Sequence, residues 1–379
     1  MSPKSRKPRL LIVGPLPPPI GGVETFTQAV LESPELDAFE IAHCDTTKRR
    51  AKAFQGHFDA TNMMWAFTHW GRLLGAVARF RPDVVYVPVS GTLSGVLRDL
   101  VLAGLARGSG ALVIGHQHAG DIRDVIARRG LVARAVRMGF AQFDAMLVLG
   151  EPWRRMFESY GLRCPIAICP STLLHEVFER GAEFTREPRR EPPVRVLYVG
   201  QVGRRKGVLD LLEAVARLRR EGLAVALTIV GPEKGAGELE ETHARGTALG
   251  LESSVRFTGA LTGEPLYAHY RDHDLLALPS YNEGLPAVLY EAGAFALPVV
   301  TTPVGAIESL VRDGANGFLV KPGDVDALTD RLRRLATDHD LRARLGAQLH
   351  ADVASYHPDR AAARIVAAVR ELLARKGRS

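Results

Sequence analysis

The chain has 379 residues, of which 46% are apolar and 24% charged, with a mean hydropathy close to zero. A single hydrophobic core stops growing at about 250–300 residues, so this length predicts two domains of about 150–200 residues each. The composition is that of a globular protein and excludes disordered, collagen-like and disulfide-rich classes. The three cysteines form no CxxC pair, and we expect them to be reduced thiols of a cytosolic protein.

The net charge of +7 is concentrated in the first half of the chain. Residues 1–180 contain 22 basic and 16 acidic residues, whereas residues 181–379 contain 27 and 26. A basic half indicates an anionic partner such as a phosphate-bearing ligand, nucleic acid or an acidic membrane surface. An Arg-rich solvated surface without a specific partner is the alternative.

No apolar stretch reaches the 18 residues that a membrane-spanning helix needs. The apolar run after the basic N-terminus covers only Leu10–Val13 and breaks at Gly14, which predicts a strand and not a signal peptide.

Short apolar runs alternate with amphipathic segments in both halves, and this pattern predicts βα units with parallel sheets buried on both faces. In the first half the predicted strands are Leu10–Val13, Val84–Val87, Leu112–His116 and Ala145–Leu149, and the predicted helices are Val23–Leu31 and Asn62–Phe80. In the second half the predicted strands are Val194–Val199, Ala226–Val230, Val255–Thr258, Leu275–Leu278 and Pro298–Thr301, and the predicted helices are Leu209–Arg220, Glu238–Leu249 and Leu285–Phe295.

A proline-rich, highly charged segment at 180–193 predicts the domain boundary. We therefore expect an N-terminal domain at 1–185 and a C-terminal domain at 186–357. A final helix at 358–379 is long enough to reach back to the first domain.

Two motifs in the first half suggest ligand contacts. The first predicted strand runs into GPLPPPIGGVETF, where Gly21 and Gly22 lead into a helix whose amides can attract phosphate. Taken alone, the two glycines are better explained by a plain helix-cap turn, and the absence of GxGxxG disfavours an NAD site. In LVIGHQHAGD, His116 and His118 alternate at a strand end, where α/β proteins bind ligands, although a packed histidine is also common there.

Two motifs in the second half combine charge with turns. The segment VGQVGRRKG places Arg204, Arg205 and Lys206 in a glycine-rich turn before a helix, which predicts an anion cradle, unless these cations are only solvated. In PSYNEGLPAVLYEAG, Glu283 lies in a loop and Glu291 about two turns into the following helix. Carboxylates accept hydrogen bonds from paired hydroxyls, so this pair suits a sugar or ribose, whereas Glu291 alone would fit a buried helix contact.

Together these segments resemble the retaining GT-B glycosyltransferases of family 4 over nearly the whole chain. The matching pieces, in order, are IGGVE, LVIGHQHAG, LYVGQVGRRKG, LTIVGPEKG, VRFTGAL, LLALPSYNEGLPAVLYEAGAFALPVVTTPVGAIESLV and DGANGFLVKPGD. The resemblance implies two Rossmann-like domains that face each other across a cleft. It also implies hexosyl transfer from a UDP- or GDP-sugar to a glycan or lipid-linked hydroxyl in cell-envelope or exopolysaccharide biosynthesis.

The resemblance assigns roles to the motif residues. Glu283 would contact the donor sugar beside the backbone of Gly284 and Leu285, and Glu291 would hold the ribose. Lys206 would bind the diphosphate near Gly21 and Gly22. His118 would lie near the reacting sugar.

One departure from the family pattern concerns the diphosphate. The family usually has an arginine five residues before the lysine, and this chain has Gln201 there. Arg204 or Arg205 would supply the missing charge, or the diphosphate is held more weakly. Because fixed donors such as Lys206 meet the charge that grows on the leaving phosphate, we expect no metal cofactor. No enzyme nucleophile is evident.

Two amphipathic segments raise the question of a membrane surface. Asn62–Phe80 carries Met63, Phe67, Trp70, Leu74 and Val77 at helical spacing, and Ile122–Phe140 carries five arginines among apolar residues. Such helices can lie on an anionic bilayer, or they can be ordinary core stripes with solvated arginines. We expect a cytoplasmic protein, with attachment to the inner membrane face as one hypothesis.

Two other functions remain as alternatives: a partner subunit that binds a nucleotide sugar without transfer, and a GT-B nucleotide-sugar epimerase. Nucleic-acid binding is disfavoured, because the basic residues do not cluster with stacking aromatics in a recognised module.

Overall fold

The computed structural model describes residues 6–18, 21–47, 60–127, 130–187, 189–233 and 235–377. They form two compact units. Unit 1 contains the described residues of 1–174 and 357–379, and unit 2 contains those of 175–356. The segment predicted as a linker, 180–193, therefore belongs to unit 2, and the C-terminal segment belongs to unit 1.

The described residues of unit 1 form a six-stranded parallel sheet in the order β2-β1-β3-β4-β5-β6. The strands are β1 (Arg9–Gly14), β2 (Glu40–Asp45), β3 (Val84–Val89), β4 (Leu112–Gln117), β5 (Ala145–Val148) and β6 (Ile166–Ile168). The central strands are almost wholly apolar and buried, as a sheet covered on both faces requires.

Helices cover the unit 1 sheet. They are α1 (Gly22–Leu31), α2 (Ala60–Phe80), α3 (Leu93–Gly108), α4 (Ile122–Ile126), α5 (Gly130–Phe140), α6 (Glu151–Ser159) and the C-terminal helix, which is α14 (Pro358–Lys376). Helix α14 packs against α1, and α3 contacts both α2 and α5. In the core, Ile365 and Val369 of α14 pack with Phe26 of α1 and with apolar strand residues such as Tyr86.

The described residues of unit 2 form a second six-stranded parallel sheet in the order β12-β11-β10-β7-β8-β9. The strands are β7 (Val194–Val199), β8 (Val225–Val230), β9 (Val255–Gly259), β10 (Leu275–Leu278), β11 (Val299–Thr301) and β12 (Phe318–Leu319). The helices are α7 (His175–Ala182), α8 (Val208–Arg220), α9 (Glu238–Ala248), α10 (Glu264–Asp272), α11 (Ala287–Ala294), α12 (Val325–Thr337) and α13 (His339–Val353).

The strand order reverses once in each sheet. In unit 1 the chain leaves β1 toward β2 on one side and toward β3 on the other, and in unit 2 the reversal lies between β7 and β10. Loops that leave neighbouring strands in opposite directions open a crevice at their carboxyl ends, where α/β proteins bind ligands. The candidate residues that follow β7 and β10 are therefore brought to one place by topology.

The predicted α/β class with parallel sheets is confirmed. Every strand that was predicted is present, but the prediction missed β2, β6 and β12. All three are edge strands of their sheets, and they are partly exposed or only two or three residues long. They therefore lack the continuous apolar run that marks a buried strand.

The stretch Ile122–Phe140, treated as one amphipathic helix, is two helices, α4 and α5. Arg128 and Arg129, two of its five arginines, lie outside the described residues. The described helices include none that is both long enough and apolar enough to cross a membrane.

Candidate functional site

Lys206 and Glu283 form a close ion pair in unit 2. The Nζ atom of Lys206 donates a hydrogen bond to Oε1 of Glu283 over 2.6 Å. The two side chains are only 17% and 9% exposed, so the pair is shielded from water on most sides. Lys206 follows β7 and Glu283 follows β10, the two strands at which the order of the sheet reverses. The structure thus joins two residues that are 77 positions apart in sequence.

The turn that carries Lys206 depends on glycine. A short 3₁₀ helix at Arg204–Lys206 ends at Gly207, which has φ 71° in the left-handed region. A Cβ atom on Gly207 would lie 2.0 Å from the carbonyl oxygen of Pro279. Both the backbone angle and the close approach therefore require glycine, and together they press the turn against the loop after β10.

Two hydrogen bonds fasten that turn to the loop after β10. The backbone N–H of Tyr281 donates to the carbonyl of Arg205 over 2.9 Å, and the Tyr281 hydroxyl donates to Asp210 over 2.7 Å. The bond to Asp210, more than burial, raises the pKa of Tyr281 to about 12. The phenol stays neutral at physiological pH and keeps its donor proton. These contacts fix the separation of the two loops that carry the ion pair.

The backbone after Glu283 is packed against a third loop. A Cβ atom on Gly305, which has φ 64°, would lie 2.3 Å from the carbonyl oxygens of both Glu283 and Gly284. The N–H of Ala306 donates to the carbonyl of Gly284 over 2.8 Å. The buried side chain of Leu285 completes the segment before α11. Gly284 and Leu285 thus hold Glu283 in place from the backbone side.

Glu291 lies in α11 and is partly buried. Its carboxylate accepts a hydrogen bond from the hydroxyl of Tyr270, which is fully buried. Burial raises the pKa of Glu291, and the hydrogen bond from Tyr270 opposes this change. Burial likewise raises the pKa of Tyr270, so the phenol remains the donor of the pair.

The cations near Gln201 do not all point to one anion. The guanidinium of Arg204 pairs with the carboxylate of Glu241, so Arg204 is engaged on the α9 side. Arg205 is exposed in the same turn. The backbone carbonyl of Gln201 accepts the hydroxyl of buried Tyr198 over 2.7 Å. The Arg204 guanidinium is thus paired with Glu241, and the two alternatives for the charge that Gln201 lacks, Arg204 and Arg205, both stay open.

In unit 1, Gly21 and Gly22 lie at the start of α1. Gly21 is the extended N-cap residue, and no side chain of the described residues caps the helix. A Cβ atom on Gly22 would meet nothing within 4 Å among the described residues, so the packing there does not itself demand glycine. Upstream, Thr47 holds the loop after β1 by bonding both the N–H and the carbonyl of Leu16.

His118 follows β4 and belongs to a buried cluster that includes His116. The ring centroids of the two histidines are 4.0 Å apart, and Phe26 packs edge-on against both rings. Tyr86 Oη lies 2.7 Å from Nδ1 of His116 and 3.2 Å from Nε2 of His118. The two rings thus lie side by side, and both are within hydrogen-bond distance of protein groups.

Sequence reasoning did not select Tyr86, Tyr270 or Gly305. A signal existed for Tyr86, which places a hydroxyl inside the predicted apolar strand Val84–Val87, where a buried hydroxyl needs a partner. Tyr270 lies in a mostly polar stretch that no predicted element covered. Gly305 gave no signal, because only the folded backbone shows its contact with Glu283.

Three Asp-x-Asp triplets occur at 272–274, 324–326 and 338–340. In each triplet one carboxylate accepts a hydrogen bond from a backbone N–H: Asp274 accepts from Arg195 of β7, and Asp324 and Asp338 cap α12 and α13. These triplets are thus explained by folding.

Residues 179–350 match the family described as glycosyl transferases group 1. Similar curated proteins include the D-inositol 3-phosphate glycosyltransferase of Corynebacterium jeikeium (strain K411), which is 37% identical over 202 residues. That match covers 50% of this chain and 48% of the relative. The protein of the same name from Geodermatophilus obscurus is 28% identical over 360 residues, which cover 91% of this chain and 74% of the relative. The chain spans about half the length of several curated relatives that it matches.

Two solved structures show the same fold. Sucrose-phosphate synthase from Thermosynechococcus elongatus superimposes with a TM-score of 0.71 at 18% identity and covers 97% of this chain and 100% of its own. Anabaena Alr3699/HepE, solved in complex with UDP, has a TM-score of 0.69 at 16% identity, with 96% and 99% covered.

These similarities and the two parallel sheets define the class: the fold is GT-B. The match to glycosyl transferases group 1 lies in residues 179–350, and the relatives that match part or most of the chain are named glycosyltransferases.

Proposed function

We propose that the chain is a retaining glycosyltransferase that moves a hexosyl group from a nucleotide-diphosphate sugar to a hydroxyl of a glycan or lipid-linked acceptor. The observation that carries this proposal is the shielded Lys206–Glu283 pair, held at the point where the sheet of unit 2 reverses its strand order. One cation for a phosphate and one carboxylate for hydroxyls, 2.6 Å apart, match the two ends of a glycosyl-phosphate bond.

In the proposed reaction Lys206 stabilises the leaving group. When the bond between the sugar and the β-phosphate breaks, negative charge grows on the phosphate oxygens, and a fixed ammonium in a shielded site stabilises it without reorganisation. Lys206 has three N–H donors, and one of them is used by Glu283. The other two remain available for phosphate oxygens, and Arg205 adds charge at the rim.

Glu283 positions the donor sugar in this proposal. A carboxylate accepts hydrogen bonds from two hydroxyls, and the backbone contacts at Gly284 and Gly305 fix its location. Glu291 takes the ribose hydroxyls, and its hydrogen bond from Tyr270 orients the carboxylate. With retention, the acceptor attacks from the face of the leaving group, and the departing phosphate oxygen accepts its proton.

Gly21, Gly22 and His118 are proposed as substrate-contacting residues of unit 1. The uncapped amides at the start of α1 suit a phosphate group. His118 offers a ring nitrogen to a hydroxyl of the sugar or the acceptor. No metal is required in this scheme, so turnover should withstand excess chelator.

UDP- and GDP-sugars are the candidate donors, and the UDP complex of a protein with this fold supports testing UDP-sugars first. Several relatives are named D-inositol 3-phosphate glycosyltransferases, which supports D-inositol 3-phosphate as a test acceptor beside lipid-linked glycans. Both kinds of acceptor are anionic, as the basic first half of the chain would favour. A role in envelope or exopolysaccharide synthesis in the cytoplasm remains part of the proposal.

An anionic membrane surface is proposed as a further partner, because helices α2 and α5 of unit 1 expose large apolar side chains. Helix α2 exposes Phe67 and Leu74, although Leu73 and Val77 face the core. On α5, Leu131 and Met138 are 85% and 66% exposed, among exposed arginines. The side chain of Met63, which belongs to the same predicted stripe, lies outside the described residues.

Flotation with vesicles tests this surface. Full-length protein should float with phosphatidylglycerol vesicles at low salt, float less at high salt, and not float with phosphatidylcholine. Leu131→Glu should weaken flotation, and Glu252→Gln, a change in unit 2, should not. Equal recovery of wild type and Leu131→Glu with phosphatidylglycerol would argue against the surface.

The donor site is tested by separating binding from turnover. Lys206→Met removes a charged hydrogen bond worth about 1.5–3 kcal/mol, so UDP or GDP should bind about 10- to 150-fold more weakly. Glu283→Gln leaves the lysine in place and removes a neighbouring negative charge, so the free diphosphate should bind as well or better while sugar transfer falls.

Incubation of the wild type with a nucleotide sugar, with and without an acceptor, distinguishes the transferase from the two alternative functions. Transfer of the donor sugar to an acceptor, with the anomeric configuration kept, supports the proposal. Binding of nucleotide sugar without transfer or hydrolysis would favour the non-catalytic partner subunit that Gln201 suggests, and interconversion of the sugar without an acceptor would favour an epimerase.

A further inference from the structure

Four groups of unit 1 form a continuous series of hydrogen bonds: the carbonyl of Cys169, His116, Tyr86 and His118. The carbonyl oxygen of Cys169 lies 2.8 Å from Nε2 of His116, Nδ1 of His116 lies 2.7 Å from Tyr86 Oη, and Tyr86 Oη lies 3.2 Å from Nε2 of His118. His116 and Tyr86 are 0% and 2% exposed, so water does not compete for these bonds.

The carbonyl of Cys169, at one end of this series, determines which atom donates and which atom accepts in each hydrogen bond. A carbonyl oxygen only accepts, so Nε2 of His116 must carry the proton, and Nδ1 of the neutral ring must accept from the hydroxyl of Tyr86. A hydroxyl has one proton, so the oxygen of Tyr86 in turn accepts from Nε2–H of His118. The remaining ring nitrogen of His118, Nδ1, is then an acceptor.

Burial keeps both rings neutral, which the argument requires. It lowers the pKa of His116 to about 3 and that of His118 well below its usual value. Each ring then carries a single proton at physiological pH. Phe26, packed on both rings, is the apolar neighbour that removes them from water.

Nδ1 of His118 is the acceptor at the other end of this series of hydrogen bonds. Among the described residues, Nδ1 of His118 is buried and makes no hydrogen bond. A buried acceptor without a donor costs about 1–3 kcal/mol, so its retention calls for an explanation. A ligand hydroxyl that donates to this nitrogen supplies one.

We propose that Tyr86 and His116 are positioning residues that hold His118 with its proton on Nε2, so that Nδ1 is kept as the acceptor for a ligand hydroxyl. The ligand part of this inference rests on the proposed function, since the hydroxyl would be that of a sugar or acceptor. The tautomer part is a property of the free chain. Neither Tyr86 nor His116 needs to touch a substrate to act in this way.

Two-bond ¹H–¹⁵N correlation spectra of the full-length chain, labelled with ¹⁵N-histidine, test the tautomers directly. His118→Ala and His116→Ala identify the two rings. In the wild type at pH 7 both rings should show the neutral Nε2–H form. A spectrum with the proton on Nδ1 of either ring would overturn the inference, and this result needs no variant that perturbs Tyr86.

Tyr86→Phe then removes the hydroxyl that links the rings. His118 should lose its single tautomer and show a mixture, and turnover should fall about fivefold to tenfold, as for the loss of one hydrogen bond, with a smaller change in donor KM. Phe26→Leu is the matched control, because it alters packing on both rings but removes no hydrogen bond. It should keep the Nε2–H form.

The readouts separate this inference from the proposed function. If the protein transfers no sugar, the proposed function fails, but the tautomer spectra still test whether Tyr86 and His116 position His118. If Tyr86→Phe leaves the His118 spectrum unchanged, or Phe26→Leu shifts it equally, the positioning role of Tyr86 is refuted even when the wild type is an active transferase.

Discussion

A double-mutant cycle on Lys206 and Glu283 measures how strongly the site is assembled before any ligand binds. Lys206→Met keeps the length of the side chain but leaves the Glu283 carboxylate, 9% exposed, without its cation. Breaking a buried pair costs about 3–5 kcal/mol, and an exposed pair is worth about 0–1 kcal/mol. The partial shielding of this pair places the expected loss at about 2–3 kcal/mol.

The double variant with Glu283→Gln should recover part of this loss, because it removes the unpaired charge. The coupling free energy should therefore be about 1–2 kcal/mol. For a unit of this size, 2–3 kcal/mol corresponds to a fall in Tm of about 5–10 °C.

Far-UV circular dichroism during thermal and urea unfolding follows both units and provides the free energies. The three tryptophans, Trp65, Trp70 and Trp153, all lie in unit 1, so their fluorescence reports on the unit without the substitutions. A coupling free energy below about 0.5 kcal/mol would show that the two side chains behave as a solvated surface pair. The reasoning that assigns a preformed site to unit 2 would then be refuted.

Three further changes test other parts of the structure. Gly207→Ala combines a strained φ with a clash against Pro279, so it should cost more than 2 kcal/mol in urea unfolding, whereas Gly222→Ala, with φ 88° and open space, should cost about 1 kcal/mol. Glu291→Gln should raise stability at pH 7 by about 0.5–2 kcal/mol and weaken nucleotide binding. This gain should shrink at acidic pH, because a carboxyl whose folded pKa is raised destabilises the fold only when it is ionised. Burial raises the pKa of Cys169 to about 12, so this thiol should resist alkylation at pH 8 until the chain unfolds, as mass spectrometry after iodoacetamide treatment would show.

The sequence predicted those parts of the fold that depend on continuous apolar patterns. Strands β7 and β10 were placed at their observed bounds, because Val194–Val199 and Leu275–Leu278 are buried runs between breakers. The edge strand β2 was missed because Glu40–Asp45 is polar and partly exposed, and only its pairing with β1 makes it a strand. A pattern of apolar residues indicates burial, but an edge strand such as β2 is paired while only partly buried, so its sequence lacks that pattern.

The candidate site was predictable as residue types but not as contacts. Lys206 and Glu283 were selected from their motifs, yet nothing in either motif states that they pair, because the contact depends on β7 lying beside β10. The His116–Tyr86–His118 chain was out of reach for the same reason. Its members come from two neighbouring strands, and the direction of the protons follows from the carbonyl of Cys169, which lies beyond a third strand.

The ion pair also explains why the proposed diphosphate site needs no excess of positive charge in the second half of the chain. Lys206 is balanced by Glu283 and Arg204 by Glu241, so the cations of the turn add little to the net charge of the second half of the chain. Lys206 is held at a fixed position for an anion. Gly207 brings the turn of Lys206 into contact with the loop after β10, and Gly305 packs against the backbone of Glu283. An incoming phosphate therefore gains from a preorganised lysine, and the contribution of general electrostatic attraction should be small. Consequently, raising the ionic strength should weaken diphosphate binding far less than Lys206→Met does.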